Sequence, residues 1–124
     1  MQSFNLFVGS ACLLIVILAL NVSRLRYKER IAHGHGDSKE LRNAIVAHSN
    51  AHEHLIPFAL ILYVLAAQNT SQGLVQSLAI GFLVVRVIHA VGITQFVFRA
   101  WQVSSGLSYA LTIFSSCLIL FNLF

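Results

Sequence analysis

The sequence predicts an all-α integral membrane protein, a four-helix bundle, and two observations carry that expectation. Of its 124 residues, 57% are hydrophobic and only 10% are charged, well to the apolar side of an ordinary water-soluble domain. The apolar residues fall into runs at 4–22, 55–67, 74–85 with 87–98, and 107–124. Since about 20 apolar residues cross the hydrocarbon core, these runs predict four spans, at about 4–28, 39–68, 74–98 and 104–124. They use nearly the whole chain, so one domain over 1–124 is expected, with the lipid bilayer as its first partner.

A formal charge of +4 could suggest nucleic acid, but six of the eight basic residues (Arg24, Arg26, Lys28, Arg30, Lys39 and Arg42) surround the first connection. That clustering is a topology signal, because Lys and Arg mark cytoplasmic loops, and the second connection, 68–73, has neither. The expected topology puts the 1–2 and 3–4 loops in the cytoplasm and both termini outside, with no nucleic-acid partner.

The first run has no positive segment before it and no small-residue cleavage site after it, so it is expected to persist as a span. Helix one ends in Asn21, Ser23, Arg24 and Arg26, long polar groups suited to the interface. In the loop that follows, Gly34 and Gly36 permit backbone reversals, and Asp37 or Ser38 can cap helix two. Cys12 and Cys117 fall within apolar runs and are read as small hydrophobes.

Helix two carries the polar puzzle. Between Arg42 and Pro57 lie Asn50, Glu53 and three histidines, His48, His52 and His54. An ionisable group in a membrane span costs about 2.5 to 3.5 kcal/mol on insertion scales, so it normally faces protein or a ligand. At about 100° per residue, Arg42, Val46, Ser49, Asn50, Glu53 and Pro57 share one face, while His48 and His52 lie on another with Leu41 and Ala44. Pro57 cannot donate to the carbonyl of Glu53, which predicts a kink or loosened turn there.

Helix three contributes Arg86 and His89, one turn apart. Counted at 1.5 Å per residue from the cytoplasmic end, Arg86 lies about 20 Å deep and His89 about 15 Å, against about 16 Å for Glu53 and about 12 Å for Asn50. Matching depths predict a structural ion pair between Glu53 and Arg86, each otherwise an isolated charge in a low dielectric. Helix four is expected to open at Ser104-Ser105-Gly106, its hydroxyls capping the helix or touching a ligand.

Three readings of this cluster stand side by side. His48 and His52 have the i, i+4 spacing of two metal ligands, but no His-Glu-x-x-His motif and no cysteine accompanies them, and no metal is expected. The polar groups could instead tie helices together. The third reading is a cytoplasm-facing site for a small anion, drawing on Arg24, Arg42, Asn50, Glu53, Arg86, His89 and Arg99. A ligand with carboxylates and an ammonium group, as in glutathione, would use the cations and Glu53 together.

Asn21-x-x-Arg24, Gly34-x-Gly36-Asp37, Ala47-His48-x-Asn50-x-x-Glu53-x-x-x-Pro57 and Arg86-x-x-His89-x-x-Gly92, in that order, resemble the MAPEG superfamily, the membrane-associated proteins in eicosanoid and glutathione metabolism. The chain is similar to bacterial members over its whole length. The resemblance implies a homotrimer of four-helix subunits, in a bacterial inner membrane, with glutathione as cosubstrate held between subunits. It also implies glutathione contacts at Arg24, Asn50, Glu53 and His89, with Tyr109 a looser match; Arg42, from the reading of the polar cluster itself, is expected to be a further cation for the ligand. The implied chemistry is glutathione transfer to a lipophilic small molecule, or reduction of a lipid hydroperoxide, through a stabilised thiolate. Many glutathione-using members carry an arginine where this chain has Val46 and another at the mouth of helix four, where it has Val103-Ser104-Ser105. Ser104, Ser105 or Arg99 would then have to activate the thiol. Binding of lipid without turnover is the alternative that the resemblance also allows.

Overall fold

The computed structural model describes residues 1–123. Four helices form: α1 (Gln2–Glu29), α2 (Lys39–Ala67), α3 (Gln72–Thr94) and α4 (Phe98–Phe121). Each is long and apolar enough to cross a membrane. Leu13, Ile17, Leu60, Val84 and Ile113 are exposed on the outside of the bundle, as expected where the solvent is hydrocarbon and only backbone groups must be satisfied internally.

The helices pack in chain order, each against its neighbours, with α1 also meeting α3 and α2 meeting α4. Thus α2 and α3 form the centre. The bundle closes around Phe7, Phe58 and Phe82, one from each of the first three helices, with the last two rings stacked at 3.7 Å and 3°. Ala47, Ala51 and Ala79 are buried beside them, and their small side chains let the helix backbones approach. α2 runs as one continuous helix through Pro57.

Local chemistry explains most boundaries. Ser38 caps α2, its Oγ accepting from the Leu41 amide at 3.1 Å. Arg30 ends α1 in the left-handed region at φ 55°, and Arg26 pins the following loop by donating to the Gly34 carbonyl at 2.8 Å.

The α3–α4 junction corrects the expected helix limits. The chain reverses through residues 95–97, so α3 ends at Thr94 and Ser104 lies inside α4 rather than at its start. The reversal is a Schellman closure: the Val97 amide donates to the Gly92 carbonyl at 2.8 Å, and the Phe96 amide to Ile93 at 3.4 Å. No glycine or proline marks this turn. Phe96 takes the left-handed position, at φ 58°, that glycine usually fills, which is why composition hid it. Strain of this kind costs about 1 to 3 kcal/mol, and the ring is 55% exposed. Phe96→Gly is therefore expected to raise stability by about 1 kcal/mol after the glycine's own entropy cost, read as a higher thermal midpoint in detergent.

Candidate functional site

Arg86 is the largest fully buried side chain, 2% exposed, and it organises the polar interior. Its Nη2 donates to the Asn50 side-chain oxygen at 2.8 Å and to the Asn50 carbonyl at 3.2 Å. Its Nη1 donates to Ser108 Oγ at 3.3 Å. Nε is buried with no partner. These bonds correct the expected Glu53–Arg86 pair: the guanidinium takes the side chain and main chain of Asn50, one turn earlier on α2, and Glu53 lies exposed. A buried cation thus has neutral partners, which solvate it without cancelling its charge.

One turn further along α3, the His89 Nε2 is 3.1 Å from Ser105 Oγ. Ser105 itself donates to the Trp101 carbonyl at 2.9 Å. A hydroxyl has one proton, so with that proton on Trp101, His89 must donate from Nε2 and leave Nδ1 as a bare acceptor. That Nδ1 is buried and unpartnered.

Asn50, Arg86, His89, Ser105 and Tyr109 surround a cavity of about 540 Å3, a size common for small-molecule sites. Phe98 and Trp101 wall it on one side, and His54 enters it from α2. The His54 and Tyr109 rings meet with centroids 5.6 Å apart.

The other sequence-predicted residues lie elsewhere. Ser104 is buried and donates to the Ala100 and Trp101 carbonyls at 2.6 and 3.0 Å, so it is spent within α4 and does not face the cavity. Arg42 lines a neighbouring cavity of about 390 Å3 with Val46 and Gly92. Arg24 bonds Asn21 at 2.9 Å and lines a third, of about 310 Å3, with Glu40. Arg99, expected at a helix end near the site, is exposed in the first turn of α4 and lines none of these three. His48 and His52 pack edge to face on each other, away from the cavity, and among the described residues no three His, Cys, Asp or Glu groups gather as for a metal.

Sequence reasoning missed His54 and Ser108. Both had a signal. His54 is one helical turn from Asn50 and so shares its face, and Ser108 is one turn from Ser104 on the side that α4 presents to α3.

A four-span bundle with a polar cavity around a buried arginine is the architecture of an integral membrane protein with a polar site inside its helices. The MAPEG family model matches residues 5–124, and the chain belongs to that family. It is similar to "Inner membrane protein YecN" of Escherichia coli strain K12, 35% identical over 104 residues that cover 83% of this chain and 77% of that protein. The protein of the same name from Escherichia coli O6:H1 matches to the same extent. No solved structure matches. The four spans and these relatives support an integral inner-membrane location.

Proposed function

We propose that the protein is a glutathione-dependent transferase or peroxidase acting on lipophilic electrophiles or lipid hydroperoxides, working as a homotrimer in the inner membrane. The observation that carries this is the Arg86 cation: buried, bonded only to neutral groups, with its Nε unpartnered, on a residue that lines the cavity. A charge so placed attracts an anion, because the low dielectric strengthens the attraction that water would screen. Asn50, Ser105 and Tyr109 add polar contacts that orient a ligand. Arg24 and Glu53, outside the cavity in one protomer, would complete the ligand's charge pattern from across a subunit boundary. Membership of the family supports the choice of glutathione over other anions.

Val46 and the stretch Val103-Ser104-Ser105 favour a second reading of lipid binding without turnover, since neither supplies the cation found there in many glutathione-using members. One experiment separates the two. The purified protein is titrated with glutathione by calorimetry and assayed for halide release from an aryl halide. Binding below millimolar concentration with turnover is expected. Binding without turnover supports the second reading, and no binding at millimolar glutathione discards the first.

A further inference from the structure

We propose that His54 is the proton acceptor that converts a thiol bound in this cavity to its thiolate, with Arg86 as the fixed charge that holds the anion. The proposal rests on the reading of the cavity as a glutathione site.

The cavity presents few groups able to take a proton. Tyr109 carries a phenolic hydroxyl, which offers a proton rather than taking one. His89 is committed through Nε2 to Ser105, and its remaining nitrogen is sealed from the cavity by burial. Arg86 is a cation with nothing to accept on. His54 differs from all three. It lines the cavity from α2, is half-buried, and meets the Tyr109 ring. Among the described residues no hydrogen bond holds either of its nitrogens. A neutral imidazole carries a lone pair on one ring nitrogen and a proton on the other, which suits it to accept a proton and pass it on. The charged and titratable groups around it are Arg86 and His89 on α3, Tyr109 on α4, and Glu53 on its own helix.

His54 takes the proton as the S–H bond breaks and an N–H bond forms, leaving the electron pair on sulfur. Arg86 holds the resulting negative charge. When that pair forms a bond to the carbon of an aryl halide, the carbon–halogen pair leaves with the halide. His54 then returns its proton to water at the cavity mouth. The sum is thiol plus aryl halide giving thioether, halide and a proton, with no oxidant or reductant required.

The test compares the wild-type protein with His54→Gln and His54→Asn in phosphatidylcholine nanodiscs, each first shown to keep the wild-type thermal midpoint. Two probes are used, glutathione and S-methylglutathione, which has no thiol proton to lose. Thiolate is read by its ultraviolet absorbance, and turnover by halide release across a pH series. The expected result is S-methylglutathione affinity within about twofold of wild type, with thiolate at neutral pH lowered about tenfold and turnover about a hundredfold. Both should recover as pH rises towards the free thiol's own ionisation, because solvent then removes the proton that His54 no longer takes. Wild-type thiolate in both variants would overturn the proposal and leave the glutathione reading intact. Equal loss of affinity for both probes would overturn it too, by making His54 a contact only. No binding of either probe by the wild type would remove the glutathione reading, and this proposal with it.

Discussion

Arg86→Met is expected to weaken glutathione binding by about two orders of magnitude while leaving thermal stability unchanged or slightly raised. The two effects have opposite signs for one reason. The guanidinium is 2% exposed and bonded to Asn50 and Ser108, with no carboxylate among its hydrogen-bond partners. Its desolvation is therefore a standing cost, and a methionine of similar volume removes that cost while keeping the packing. The groups it leaves behind are not stranded. Ser108 still donates to the Ser104 carbonyl at 2.8 Å, and Asn50 borders the cavity, where water can reach it. The bound anion, by contrast, loses its counterion, and truncating one member of a buried charged pair costs about 2 to 5 kcal/mol of affinity. Calorimetry and thermal unfolding on the same sample check both. A variant that binds normally would show that Arg86 is structural, and one that fails to fold would show that its bonds to Asn50 and Ser108 outweigh its desolvation.

Gly92→Ala is expected to destabilise the bundle by about 1 to 3 kcal/mol, the usual cost of overpacking, and to disturb the cavity as well. A Cβ at this position would stand 2.7 Å from the Trp101 amide nitrogen and 3.1 Å from its Cα. Those atoms are backbone, so no rotamer change relieves the clash and the start of α4 must move. Gly92 also accepts the Val97 amide that closes the 95–97 turn. Displacing α4 there shifts Ser105 and Tyr109, which line the cavity one and two turns later. A lowered thermal midpoint together with weakened ligand binding is the expected pair of observations. An alanine variant as stable as the parent would mean that α4 can slide away at little cost.

Much of the fold was legible in the sequence. Hydropathy and the basic first loop point to four spans, and all four helices form. The helical angle groups Arg42, Val46 and Asn50 on one side of α2, and each of them does line a cavity, though not the same one. Angle about an axis does not say which neighbouring helix stands opposite, and here the start of α4 separates the two spaces through Phe98 and Trp101. Depth along the helix also misled. Counting residues gives Glu53 and Arg86 similar depths, but a guanidinium bonds to whatever oxygen is within about 3 Å, and that oxygen belongs to Asn50.

The turn at 95–97 escaped notice because its left-handed residue is a phenylalanine. With the turn three residues long, α4 begins at Phe98 and Ser104 turns inward to its own helix, which passes its expected role at the cavity to Ser105. By itself, then, the sequence determines that the chain crosses a membrane four times, belongs to a recognisable family, and carries arginine, asparagine and histidine at depths where they need partners. Those properties follow from composition, periodicity and short motifs, which are local. Only the tertiary structure decides that Arg86 meets Asn50 and Ser108, that Arg24 and Arg42 stand in separate cavities, and that His54 faces the same space as Tyr109. Partner choice depends on the rotation and register of whole helices to within a bond length, and those are set by how Phe7, Phe58, Phe82 and Gly92 pack.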